Sequence, residues 1–158
     1  MCDYSLMHLP NRLAADGEVL ITHKFANGSI GLAAPDQVQA ARTGVSQTKR
    51  GIWAGLRQWL GGGPNVPLVC AVCVPPGALL RLYGIPEGVQ RAEGVSAREE
   101  VTFTQITALQ NQYRDAVLFL NGHETLLQKL GPGVGVQVLT VSLTESPETL
   151  AANLNSRS

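Results

Sequence analysis

The sequence predicts a mainly β domain, a small antiparallel barrel or sandwich with one inserted amphipathic helix. Three observations lead there. Short apolar or alternating runs recur about seven or eight times at fairly even spacing, with turn residues between them. Gly at 17 and Pro at 9 in 158 residues favour turns and short strands over long helices. One stretch, residues 36–65, breaks the strand rhythm, and a structureless loop of that length is unusual inside a compact fold. The expected organisation is a single β-rich domain over residues 1–145, a helical insert at 37–65, and a short C-terminal helix and tail at 146–158. A chain of this length suffices for one domain with a real core.

The elements follow in order. Residues 18–25 alternate, with Val19, Ile21, His23 and Phe25 on one face and Leu20, Thr22 and Lys24 on the other, so they read as a strand. Asn27-Gly28 marks a turn and 29–34 the return strand. Residues 67–74 form an apolar run between prolines, too short for a helix, and read as a buried strand. Pro75-Pro76-Gly77 turns the chain into a strand at 78–83, followed by a polar loop at 84–94 and a Thr/Val/Phe/Ile-rich strand at 101–109. Asn121-Gly122 between the apolar runs 115–120 and 123–130 predicts a hairpin with a type I′ turn, since both central positions would need positive φ. Residues 134–143 are the last strand. Ser146-Pro147-Glu148 resembles a helix cap with Pro in the first helical position.

The insert carries both tryptophans of the chain. At helical spacing Ile52, Leu56 and Trp59 fall on one stripe, with Trp53 and Leu60 beside it and Arg50 and Arg57 at its edge. Gly51 and Gly55 cost such a helix about 1 kcal/mol each relative to alanine, and ~13 residues are marginal in isolation. The stripe therefore needs burial. It can pack on its own barrel as a lid, anchor into another protein, or lie in a membrane interface. Trp and Arg are the residues enriched where protein interfaces carry most of their energy. The expected partner-binding residues are Arg50, Ile52, Trp53, Leu56, Arg57, Trp59 and Leu60.

Charge narrows the function. Lys plus Arg equals Asp plus Glu at 12 each, so the formal net charge is zero, which argues against bulk attraction to nucleic acid or to an anionic membrane. No apolar stretch approaches the ~20 residues that span a bilayer, and no basic segment followed by an apolar one marks a secretory signal. Three cysteines, an odd number, are expected as reduced thiols, and the location expected is the cytoplasm. Peripheral seating on the cytoplasmic membrane face is the variant in which the Trp helix, or the assembly it joins, lies on lipid.

Cysteine and histidine supply the remaining candidate chemistry. Cys70-Ala71-Val72-Cys73 spells C-x-x-C, yet residues three apart on a strand point to opposite faces, so the pair reads as small core thiols. Cys2, directly after the initiator, would carry a thiol and a free α-amine once Met1 is removed, a nucleophile–base pair or an N,S chelate. With Cys73 and His8 it forms the alternative thiol or metal site. His23, on a face with Val19, Ile21 and Phe25, reads as a core histidine. Arg114-Asp115 reads as a surface pair, and His123-Glu124 as exposed beyond the hairpin turn. There is no G-x-S-x-G, no Gly-rich phosphate loop with Lys, and no H-E-x-x-H.

The opening Met1-Cys2-Asp3-Tyr4-Ser5-Leu6 resembles that of an uncharacterised family of small bacterial proteins beginning with the same six residues. The resemblance extends to Gly31-Leu32-Ala33-Ala34, to Val72-Cys73-Val74-Pro75-Pro76-Gly77, and more loosely to Asp115-Ala116 and Val138-Leu139. It implies paired histidines just before the Asp-Ala, where this chain has Tyr113-Arg114, so a histidine metal site does not carry over. It also implies a more direct run from the Gly-Leu-Ala-Ala strand to the Cys strand, which makes the Trp-bearing segment an insertion. No activity comes with it.

The sequence thus leads to a non-catalytic accessory or structural subunit, without cofactor, that docks onto a larger protein assembly through the Trp/Arg helix. The alternative is a small thiol- or metal-dependent enzyme centred on Cys2.

Overall fold

The computed structural model describes residues 6–48, 68–107 and 112–141. Among them the strands are β1 (Asn11–Leu13), β2 (Val19–Lys24), β3 (Ile30–Ala33), β4 (Ala71–Cys73), β5 (Leu79–Tyr83), β6 (Arg98–Gln105), β7 (Asp115–Phe119), β8 (Glu124–Leu126) and β9 (Gly135–Thr140). Three helices accompany them: α1 (Pro35–Thr48), α2 (Glu87–Glu93) and the single turn α3 (Leu127–Leu130). The nine strands form one sheet in the order β1-β4-β3-β2-β9-β5-β6-β7-β8, curled into a half barrel. The mainly β expectation holds. One sheet carries every described strand, so the architecture is the curled sheet rather than two packed layers. All neighbours are antiparallel except β1 and β4, which run parallel with Asn11 opposite Ala71 and Leu13 opposite Cys73.

Strand alternation selects the core. On β2 the inward residues are Leu20 and Thr22, while Ile21 and His23 are half-buried on the opposite face. Leu80 and Leu82 of β5, Val101 and Phe103 of β6, Val117 and Phe119 of β7, and Val136 and Val138 of β9 complete one buried cluster with Leu127 and Leu130 of α3. A smaller cluster of Leu6, Phe25, Ala33, Val38, Ala71 and Cys73 lies at the β3–β4 end of the sheet. Leu6 belongs to this second cluster because Gly31 has no side chain. A Cβ at residue 31 would collide with a Leu6 methyl carbon and press on Phe25 Cε2 at 3.2 Å.

The turn at Asn121-Gly122 differs from the type I′ expectation. The Gly122 N–H donates to Phe119 O and the Phe119 N–H to His123 O, so the loop is the three residues Leu120, Asn121 and Gly122, with Gly122 at φ 87°. Phe25 to Ser29 repeats the device: Gly28 N–H donates to Phe25 O, Phe25 N–H to Ser29 O, and Gly28 stands at φ 85°. In both loops the Asn Oδ1 accepts from the backbone N–H two residues on, at 3.1 Å for Ser29 and 3.0 Å for His123. Only the glycine then needs positive φ, which is the longer-loop solution to the same dipeptide.

Four other departures are local. Residues 84–94, expected as a loop, contain α2, which Pro86 precedes and Gly94 ends in the left-handed conformation. No residue of α2 is buried, so it presents no apolar period to read. The run 123–130 divides into β8 and α3. Strand β1 is only three residues, all exposed, and carries no alternating pattern. Helix α1 starts at Pro35, with Asp36 in its first turn, at the head of the expected insert. It belongs to the body of the fold, because Val38 is buried in the smaller cluster.

Candidate functional site

Helix α1 and strand β4 bracket residues 49–67. The expected docking residues Arg50, Ile52, Trp53, Leu56, Arg57, Trp59 and Leu60 lie in that bracket, outside the described residues, as does Cys2 at the N-terminus and the expected helix and tail at 146–158. The described flanks define the surface to which the segment is attached. Gln37, in the first turn of α1, accepts a hydrogen bond through Oε1 from the Cys70 N–H at 3.0 Å. Helix α1 is thereby tied to the approach to β4. Strand β4 in turn holds β1, whose other side pairs with no strand among the described residues. Leu13 on β1 is 68% exposed and Leu68, where the chain re-enters, is 70% exposed. Met7 is also exposed. An end strand with exposed apolar side chains is a site at which another chain can add.

Polar links fix this end of the molecule. Arg12 of β1 makes an ion pair with Glu18, which also accepts from the Ala15 N–H through Oε2 at 3.0 Å. The Arg12 hydrogen bond holds the Glu18 carboxyl below its ordinary value, against the opposing effect of burial. The Ala14 N–H donates to Cys73 O and the Ala71 N–H to Pro10 O, extending the β1–β4 pairing at both ends.

Among the described residues the cysteines and histidines do not converge on a metal-binding group. Cys73 is engaged in a disulfide, whereas an odd cysteine count led to the expectation of reduced thiols. Its sulfur is therefore not a thiolate ligand in this state. Cys70 carries a free thiol and lies just ahead of β4. The C-x-x-C pair thus does not close on itself, in keeping with the opposite directions of residues three apart. His8 is exposed, and among the described residues no group of three Cys, His, Asp or Glu side chains is placed to hold a metal ion.

His23 is half-buried on the outer face of β2, its ring edge-on to Phe25 at a centroid distance of 4.9 Å. Burial first, and the charge of Arg42 second, pull its imidazole below the ordinary value of 6.5. Above that value the ring is neutral in both folded and unfolded chains. As pH falls through it, the unfolded chain takes up the proton first, so stability declines until the folded imidazole also protonates. Arg42→Gln is expected to raise the His23 midpoint, short of the ordinary value because burial persists. An NMR titration of the ring protons would check this, and an unchanged midpoint would remove Arg42 from the account.

Arg114 and Asp115 are both buried, contrary to the surface reading. Asp115 Oδ1 accepts from Gln105 Nε2 at 2.9 Å, and the two residues are register partners between β7 and β6. The alternation of β7 carries the missed signal: Asp115 shares a face with Val117 and Phe119, the inward residues. His123 is exposed as expected, with Nδ1 3.4 Å from Glu93 Oε2.

Among the described residues no helix is long and apolar enough to cross a membrane. No family model, no curated protein and no solved structure matches the chain.

Proposed function

We propose that the protein is a non-catalytic accessory or structural subunit that docks onto a larger protein assembly through residues 49–60. Trp53, Leu56 and Trp59 are the anchors, with Ile52 and Leu60 beside them and Arg50 and Arg57 at the polar rim. The observation that supports the reading is the surface flanking that segment: an end strand, β1, with exposed Leu13, and the exposed Leu68 at the return into β4. A weak helix bearing two tryptophans needs burial, and the chain re-enters the described fold at an exposed apolar residue, Leu68. The resemblance to the small bacterial family fits this reading, because it makes the Trp-bearing segment an addition to a common body. The cytoplasm is the proposed location.

The test uses point variants. Removing residues 37–65 would take away most of α1, including the buried Val38 and the Gln37 link to Cys70, and so would damage the body. The double variant Trp53→Ala/Trp59→Ala leaves α1 intact. Mild-detergent purification from the native host is expected to bring down a stoichiometric complex with the unaltered chain and at least a tenfold weaker one with the variant, at about 1.4 kcal/mol per tenfold. Equal recovery with both chains would end the docking reading.

A further inference from the structure

Asn121 lies in the β7–β8 hairpin loop, directly before Gly122, and its side chain reaches a different element. Oδ1 accepts from the His123 N–H at 3.0 Å, inside the loop. Nδ2 donates outward, to Glu93 O at 2.8 Å and more weakly to Gly94 O at 3.4 Å, at the end of α2. We propose that Asn121 is a deamidation site, and that its conversion to a carboxylate releases α2 from the hairpin. The proposal is independent of the docking reading.

Helix α2 relies on such ties because it buries none of its own residues; Val89 is only partly buried where it packs against the larger core cluster. A helix end leaves its last carbonyls without partners inside the helix, and the Asn121 amide supplies donors to that end of α2. An ionised aspartate in its place has acceptors only. It would face two carbonyl oxygens and set a negative charge at the negative end of the helix dipole. Its carboxylate still accepts from the His123 N–H, so the hairpin loop keeps its own bond while the link to α2 is lost. The His123 Nδ1 contact with Glu93 Oε2, at 3.4 Å and on an exposed side chain, is a weak substitute.

The chemistry needs only water. The Gly122 backbone nitrogen, its proton lost to solvent base, bonds to Asn121 Cγ, and Nδ2 leaves as ammonia. Water then opens the resulting cyclic imide, adding at Cγ to give aspartate or at the backbone carbonyl to give isoaspartate, and the Gly122 nitrogen regains its proton. The net change is one water taken up and one ammonia released. Asn121 is exposed, and the glycine after it presents no side chain to obstruct the attack. The Gly122 N–H donates to Phe119 O at 3.0 Å, so the loop must open briefly for the nitrogen to react.

The full chain, aged while folded in mildly alkaline buffer and then mapped by tryptic digestion, tests the site. Aspartate and isoaspartate at residue 121 are expected in peptide 115–129. An intact amide there, under conditions in which the isolated peptide converts, would overturn the assignment. The variant Asn121→Asp tests the release. The Gly94 and Val95 amides, which both donate to Gln90 O, are expected to exchange several-fold faster than in the unaltered chain, and limited trypsin to cut several-fold faster after the exposed Arg91. The Phe119 amide, which donates to His123 O, is expected to keep its rate. Unchanged exchange and cleavage at α2, or equal loosening at Phe119, would show that the amide does not hold the helix to the hairpin.

Discussion

Phe103→Ala is expected to lower the unfolding free energy by about 3–5 kcal/mol. Phe103 is 1% exposed, at the centre of the larger core cluster, and stands opposite Val117 across the β6–β7 pairing. Truncation removes a ring whose neighbours are themselves fully buried, so the lost transfer energy comes with a cavity. The cavity cannot collapse easily, because both backbone polar groups of residue 103 are held by the segment that leads into β5. Its N–H donates to Ala78 O, and its carbonyl accepts from the Gly77 N–H, at 2.8 Å each. Chemical denaturation should show the loss as a lower midpoint at unchanged slope. Leu120→Ala supplies the contrast: Leu120 is 84% exposed at a hairpin tip, and its truncation is expected to stay within about 0.5 kcal/mol. Similar losses at the two sites would mean that residue 103 does not sit in a closed core.

Thr22→Val is expected to cost about 2–4 kcal/mol although it changes almost no volume, because it strands one buried and one part-buried backbone group at about 1–3 kcal/mol each. The Thr22 hydroxyl donates to Gly131 O at 2.7 Å and accepts from the Val134 N–H at 2.9 Å. Backbone bonds run alongside, from the Gly133 N–H to Thr22 O and from the Thr22 N–H to Val134 O. The hydroxyl thereby joins β2 to the turn that leads into β9, which holds two separately built hairpin regions in one sheet. Thr22→Ser keeps the hydroxyl and is expected to lose only about 1 kcal/mol, for one buried methyl group. If Val and Ser cost the same at this site, the hydrogen bonds are not what holds the turn. Faster exchange of the Val134 amide in the Val variant alone would locate the effect.

The legible parts of the fold were those with a local cause. Eight of the nine described strands have a readable counterpart, because alternation or a short apolar run between turn residues leaves no other way to bury one face. The two Asn-Gly hairpins are equally local, though the loop length at Asn121-Gly122 is not. Two-residue and three-residue loops place the same dipeptide differently, and the choice depends on which strand residues pair. β1 and α2 escaped for the same reason as each other: neither buries a residue on a periodic face. The beginning of α1 was legible in principle, in Pro35 and Asp36, but its low-polarity contrast offered little beyond Val38 as a buried position.

A mainly β body, most of its turn positions and the absence of the familiar catalytic motifs were readable from the residues alone. These follow from backbone stereochemistry and from the period of the side chains, both of which act over a few residues. Tertiary pairing was needed to show that the described strands form a single curled layer ending on β1, that Arg114 is buried, and that Cys73 is oxidised while Cys70 is not. Each of those depends on which distant strands become neighbours. Parallel pairing of β1 with β4 joins residues sixty apart in the chain, and no local pattern encodes a contact made by closing so long a loop.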